Sequence, residues 1–151
     1  MLFLKTGELD CYRIYKKYFS QVEWKQEQES LIETIKKFDK NHNDLLTQFF
    51  IQEERWNDLL FFVQQKASAH KLEIYQKHLA PRFPKELADI YEQVIVKELA
   101  PLVGRKHYRR VAQFLRQMKR LDAQDRVKKL IEDLAAKYKN RPALLEEMLQ
   151  V

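Results

Sequence analysis

The residues best placed to meet a charged partner lie together: Arg105, Lys106, Arg109, Arg110, Arg116, Lys119 and Arg120. Residues 99–121 hold these seven cations and no aspartate or glutamate, whereas the other 21 basic residues are outnumbered by 22 acidic ones. The formal charge of +6 therefore belongs to one segment. At about 100° per residue, Arg105, Arg109, Arg116 and Arg120 share a narrow arc of a helix. Lys119 and Lys106 flank that arc and Arg110 lies at its edge. Tyr108, Val111, Phe114, Leu115, Met118 and Leu121 fall opposite. Guanidinium groups so arranged suit phosphate or carboxylate partners. The plainer reading is a solvated face, or one paired with Glu132, Asp133, Glu146 and Glu147.

Other reactive chemistry finds little footing. Of the histidines His42, His70, His78 and His107, none forms an HExxH pattern or an i, i+4 pair. His70 and Glu73 can share a helix face, but two ligands make a poor metal site. There is no GxSxG among only three serines. The carboxylate pairs Glu53/Glu54 and Glu146/Glu147 are sequence neighbours that point apart on a helix, as solvated charge does. Cys11, the single cysteine, permits no intramolecular disulfide and reads as a buried structural thiol in a reducing cytoplasm. No catalytic residue, metal ligand or cofactor is expected, and the chain is read as non-enzymatic.

The elements that carry these residues are helical. Only two glycines occur, Gly7 and Gly104, where average usage of about 7% gives roughly eleven. That excludes GxGxxG and Walker-type phosphate loops and the turns of an all-β fold. Apolar residues recur at helical spacing almost throughout. Leu9, Tyr12, Tyr15 and Phe19 form one stripe; Trp24, Leu31, Ile32, Ile35 and Phe38 form the next. Ser20 and Glu23 fit a capping box, with Phe19 and Trp24 as its hydrophobic staple. Asn41-His42-Asn43 breaks the pattern. Leu45, Leu46, Phe49 and Phe50 then open a short helix, and Trp56, Leu59, Leu60 and Val63 continue on a different face, which reads as two helices meeting near Glu54 or as one kinked helix. Pro84 and Pro142 suit first turns, Pro101 and Gly104 stop the chain before a helix over 105–121, and Asp122 is placed to cap the following one. Pro142 presets the first helical φ of the last element, while Tyr138 and Arg141 are placed to brace it.

The expectation is an all-α chain of eight or nine short helices in a single domain. Stacked antiparallel hairpins, an irregular or TPR/HEAT-like solenoid, are preferred over a closed bundle. Trp56-Asn57-Asp58-Leu59-Leu60 echoes Tyr108-Arg109-Arg110-Val111-Ala112, and Leu79-Ala80-Pro81 recurs as Leu99-Ala100-Pro101. The Trp-x-x-Leu start is like a tetratricopeptide repeat, but Leu60 replaces its glycine and no 34-residue period follows. No stretch approaches the roughly 18 apolar residues of a spanning helix or a secretory leader's apolar core.

Gly104-Arg105-Lys106-His107-Tyr108, Val111-Ala112-x-x-Leu115 and Tyr138-Lys139-Asn140-Arg141-Pro142-Ala143-Leu144-Leu145-Glu146-Glu147 resemble the C-terminal helical region of bacterial SWIM zinc-finger proteins. Phe50-Ile51-x-Glu53-x-x-Trp56-x-x-Leu59-Leu60 is similar to the same region. The zinc finger itself needs a CxCx(n)CxH set, which a chain with Cys11 alone lacks, so no zinc ligand carries over. The resemblance implies an accessory helical region of a longer protein, which the apolar start Met1-Leu2-Phe3-Leu4 also suits. Protein binding is the leading expectation, with a partner left open; binding of nucleic acid through residues 105–120 is the alternative.

Overall fold

A computed structural model describes residues 9–38 and 44–151, and all regular structure in them is helical. Nine α-helices follow in order: α1 (Leu9–Lys16), α2 (Gln21–Phe38), α3 (Asp44–Gln52), α4 (Trp56–Gln64), α5 (Ala69–Leu79), α6 (Pro84–Val94), α7 (Arg105–Lys119), α8 (Gln124–Lys137) and α9 (Pro142–Leu149). A π-helical turn, Ile95–Leu99, extends α6 and closes with an i to i+5 bond from the Ala100 amide to the Ile95 carbonyl, 2.8 Å. No strand occurs among the described residues. Gly7, the Met1–Leu4 start and the Asn41-His42-Asn43 break lie outside them. The chain divides into two compact units, Met1–Leu59 and Leu60–Val151, with the division inside α4. The first carries 9 basic and 11 acidic residues, the second 19 and 11.

In the first unit α2 packs on α3. The start of α2 is fixed by its capping box: the Ser20 amide donates to Glu23 (2.8 Å) and the Glu23 amide to the Ser20 hydroxyl (3.3 Å), which also lowers the Glu23 pKa. The Phe19 and Trp24 rings meet at 5.8 Å beside it. An eight-residue helix is too short to persist alone. α1 is held by Tyr12, buried with its ring 5.8 Å from both Trp24 and Phe49. Phe38, expected on the buried stripe, is 64% exposed because it lies at the very end of α2, past the last buried residue, Ile35. Cys11 is half-buried rather than buried.

The second unit is built from stacked hairpins. α5 and α6 run antiparallel: the Ala69 amide opening α5 donates to Glu98 beyond the end of α6 (2.9 Å), while Gln76 farther along α5 accepts from Tyr91 within α6 (2.6 Å). Each helix from α5 to α8 packs on the next. Contacts then recur at every second helix. Arg110 of α7 reaches Glu73 of α5 (3.0 Å), and Arg126 of α8 reaches Asp89 (2.7 Å) and Glu92 (2.5 Å) of α6. α9 returns to α7, with Arg105–Glu146, Arg109–Glu147 and Lys119–Val151 met in the same order along both, so the two helices are parallel. Neighbour-and-next-neighbour contact is what stacking hairpins produces. Leu72, Leu79, Leu87, Ile95, Leu99, Val111, Leu115 and Leu144 are fully buried between them.

The ends of the helices follow from the scarcity of glycine. α3 closes on Glu54 at φ 53°, with the Arg55 amide bonded back to the Phe50 carbonyl (2.8 Å), a left-handed cap that glycine ordinarily occupies. The residue expected to cap α8, Asp122, has φ 58° and ends α7 instead; Ala123 occupies the cap position of α8 without a side-chain bond. Gly104 precedes α7 at φ 122°, ψ 146°, a conformation open essentially to glycine alone. Pro84 and Pro142 occupy first turns.

Candidate functional site

The seven cations of the basic segment are not equivalent in the folded chain. Toward α9, Arg105 reaches Glu146 (3.1 Å) and Glu147 (3.7 Å), and Arg109 reaches Glu147 (3.5 Å). Toward α5, Arg110 is paired with Glu73 and lies over the Phe114 ring, 5.7 Å from its centroid. Lys119 donates to the Val151 carbonyl (3.0 Å). Lys106, Arg116 and Arg120 are exposed and have no partner among the described residues. They share the outward arc with exposed Gln113, and the exposed Leu102 and Val103 lie just before the N-terminal end of α7. Opposite, Tyr108, Val111, Phe114, Leu115 and Met118 are buried; Leu121 is half-buried. Glu146 and Glu147 take part in this pairing, whereas Glu132 and Asp133 do not.

Each carboxylate pair read from the sequence as solvated contains one buried member: Glu146 and Glu147 point about 100° apart on α9, and Glu53 and Glu54 are separated by the left-handed turn that ends α3. Glu147 has a side chain only 10% exposed, set between Arg105 and Arg109; Glu146 is exposed. Glu53 is the deeper case, 6% exposed at the side chain, while Glu54 is exposed. Its carboxylate accepts from the Tyr12 hydroxyl, the Lys16 ammonium (2.8 Å), the Trp24 indole (2.8 Å) and the Gln28 amide (3.2 Å). One acidic residue thus joins α1, α2 and α3. Burial pushes its pKa up to about 7, against the Arg55 guanidinium, which pulls it down. The sequence carries the signal: Glu53 lies four residues after Phe49 and seven after Leu46, continuing the buried stripe of α3 one residue past its end. Glu147 likewise follows Leu144 by three.

The remaining singled-out residues have local surroundings. Arg141 stacks its guanidinium over the Tyr138 ring, 4.4 Å from the centroid, and donates to the Ala100 carbonyl at the end of the π turn (2.9 Å). Tyr138 is buried, Pro142 opens α9, and Trp56 is half-buried at the start of α4. Burial and Glu27, which accepts the hydroxyl proton at 2.7 Å, push Tyr15 up to about 12. Burial lowers the His78 pKa, helped by Lys77 and Arg82.

An open groove of about 450 Å³ is lined by Asp89, Glu92, Gln93, Val96, Lys97 and Arg126. Its two acids are both engaged by Arg126. No group of three or more histidine, cysteine or carboxylate side chains able to hold a metal is found among the described residues. No described helix is long and apolar enough to cross a membrane. The chain matches no protein-family model, no curated protein and no solved structure.

Proposed function

We propose that this chain is a non-enzymatic α-helical module that binds a protein partner through the outward face of α7. The observation that carries this reading is the unequal treatment of the seven cations. Four are engaged within the unit, and Lys106, Arg116 and Arg120 are left exposed on one side of one helix. An excess of eight positive charges in residues 60–151 adds a long-range attraction for anionic surfaces. The open groove beside α6 favours no competing enzymatic reading, since its two acids, Asp89 and Glu92, both pair with Arg126.

The resemblance of Gly104–Tyr108 and Tyr138–Glu147 to the helical region of SWIM zinc-finger proteins suggests an accessory role, with recognition of the partner assigned to this module. Nucleic-acid backbone is the second reading, favoured by the same free cations. The test is titration of labelled polyanions, an oligoglutamate peptide and oligonucleotides of equal charge, into the wild-type chain and a Lys106→Glu/Arg116→Glu/Arg120→Glu variant. Binding that weakens with salt and is lost in the variant supports the face; binding indifferent to the three reversals overturns it.

A further inference from the structure

We infer that the occupant of the α7 face is an acidic polypeptide segment carrying an apolar residue, which lies lengthwise along the helix with that residue against Leu102 and Val103. This rests on the binding face proposed above and names what it takes. Lys106 and Arg120 are fourteen positions apart, about 21 Å along the axis, with Arg116 between them. The lane they define is narrow. Arg110 and Glu73 bound it on the α5 side, Arg105 and Glu146 on the α9 side, and Arg109, paired with Glu147, lies within it.

A nucleic-acid duplex presents two phosphate rows across a groove about 6 or 12 Å wide. Glu73 and Glu146, on either side of α7, present negative charge that disfavours a second phosphate row. A single strand gains much of its affinity by stacking bases on aromatic side chains. The aromatic residues of α7, Tyr108 and Phe114, are buried on its opposite side. A peptide meets neither objection. Its carboxylates pair with cations spaced along one side of the helix, where Gln113 is also exposed.

The neighbouring helix shows that acidic side chains seat well on these cations, since α9 brings Glu146 and Glu147 onto Arg105 and Arg109. The apolar end sets the polarity of the match. Val103 is 70% exposed and Leu102 40%, three and four residues ahead of Lys106, where a phosphate backbone has nothing to gain and an apolar side chain does.

The experiment compares a fluorescent 15-residue peptide of glutamates with one terminal leucine cluster, the same peptide with serines for the leucines, and single- and double-stranded DNA of equal charge. Each is titrated into the full chain, the Lys106→Glu/Arg116→Glu/Arg120→Glu variant and Val103→Ser, with helical content checked by circular dichroism. The expected result is tightest binding by the leucine-bearing peptide. It weakens about tenfold or more in the triple variant, and loses its advantage over the serine peptide in Val103→Ser. DNA binding tighter than either peptide and lost in the triple variant overturns this inference while leaving the α7 face standing. Loss of nothing in the triple variant overturns both.

Discussion

The indole N–H of Trp24 donates to the carboxylate of Glu53 at 2.8 Å, across 29 residues of sequence, and neither group is open to water. The hydrogen bond puts an acid at the centre of the first unit, where Tyr12, Lys16 and Gln28 also converge on it. Glu53→Ala strands the Trp24 and Tyr12 donors and should cost about 2–4 kcal/mol. Denaturant unfolding followed by tryptophan emission measures it; a change below about 0.5 kcal/mol is incompatible with a buried hub.

The same residue sets a pH dependence. Burial raises the Glu53 pKa from 4.5 to about 7, so between those values the folded chain holds a proton that the unfolded chain releases. The contribution of this group to stability is full below about pH 4.5, falls as pH rises through the window, and is flat above it. The change has an upper bound of about 3–4 kcal/mol, before solvent screening reduces it. Comparison with Glu53→Gln isolates it: the difference in slope between pH 4.5 and 7 should have this sign, and a wild-type stability that rises relative to the variant contradicts it.

With glycine so scarce, two acidic residues occupy left-handed helix ends. Glu54→Gly and Asp122→Gly should each stabilise the chain by about 1 kcal/mol, since glycine adopts positive φ without steric cost. Gly104→Ala should destabilise it by about 1–3 kcal/mol through backbone strain alone. An added Cβ there meets nothing closer than the His107 Cδ2 at 3.8 Å. Thermal melts of the three variants decide the matter, and a stabilising Gly104→Ala is the outcome at odds with the conformation.

Arg141 is expected to need its planar head group as well as its charge. Arg141→Lys keeps the cation but loses the stack on Tyr138, and should cost about 1 kcal/mol. If lysine proves equivalent in a melting experiment, the guanidinium contacts contribute nothing beyond charge.

What could be read from the residues was largely periodic. The apolar stripes place α2, α6 and α7, the Ser20–Glu23 spacing places the start of α2, and the prolines open α6 and α9. The cationic arc of α7 was legible in the same way. Which cations remain free was not, because that depends on Glu73, 37 residues earlier, and Glu146 and Glu147, about 40 later. The charge of Glu53 points to solvent, while its spacing from Phe49 and Leu46 continues the buried stripe one residue past α3, and the stripe prevails. Asp122 ends α7 and does not cap α8: an aspartate between two helices suits either end, and only its φ separates an N-cap from a left-handed C-terminal residue.

If the exposed part of α7 is the binding face, relieving its internal competition should strengthen it. Glu146→Gln frees part of Arg105 without disturbing the buried Glu147. Affinity for an acidic peptide should rise about two- to fivefold at low salt and converge with wild type at high salt, as screened surface charges require. An unchanged affinity at low salt places the peptide elsewhere.

The most direct test locates the bound peptide. ¹⁵N-labelled protein titrated with the leucine-bearing acidic peptide should show amide shifts along Leu102–Arg120, strongest at Lys106, Gln113, Arg116 and Arg120. Shifts concentrated elsewhere, or none at millimolar peptide, contradict the assignment of α7 as the recognition face.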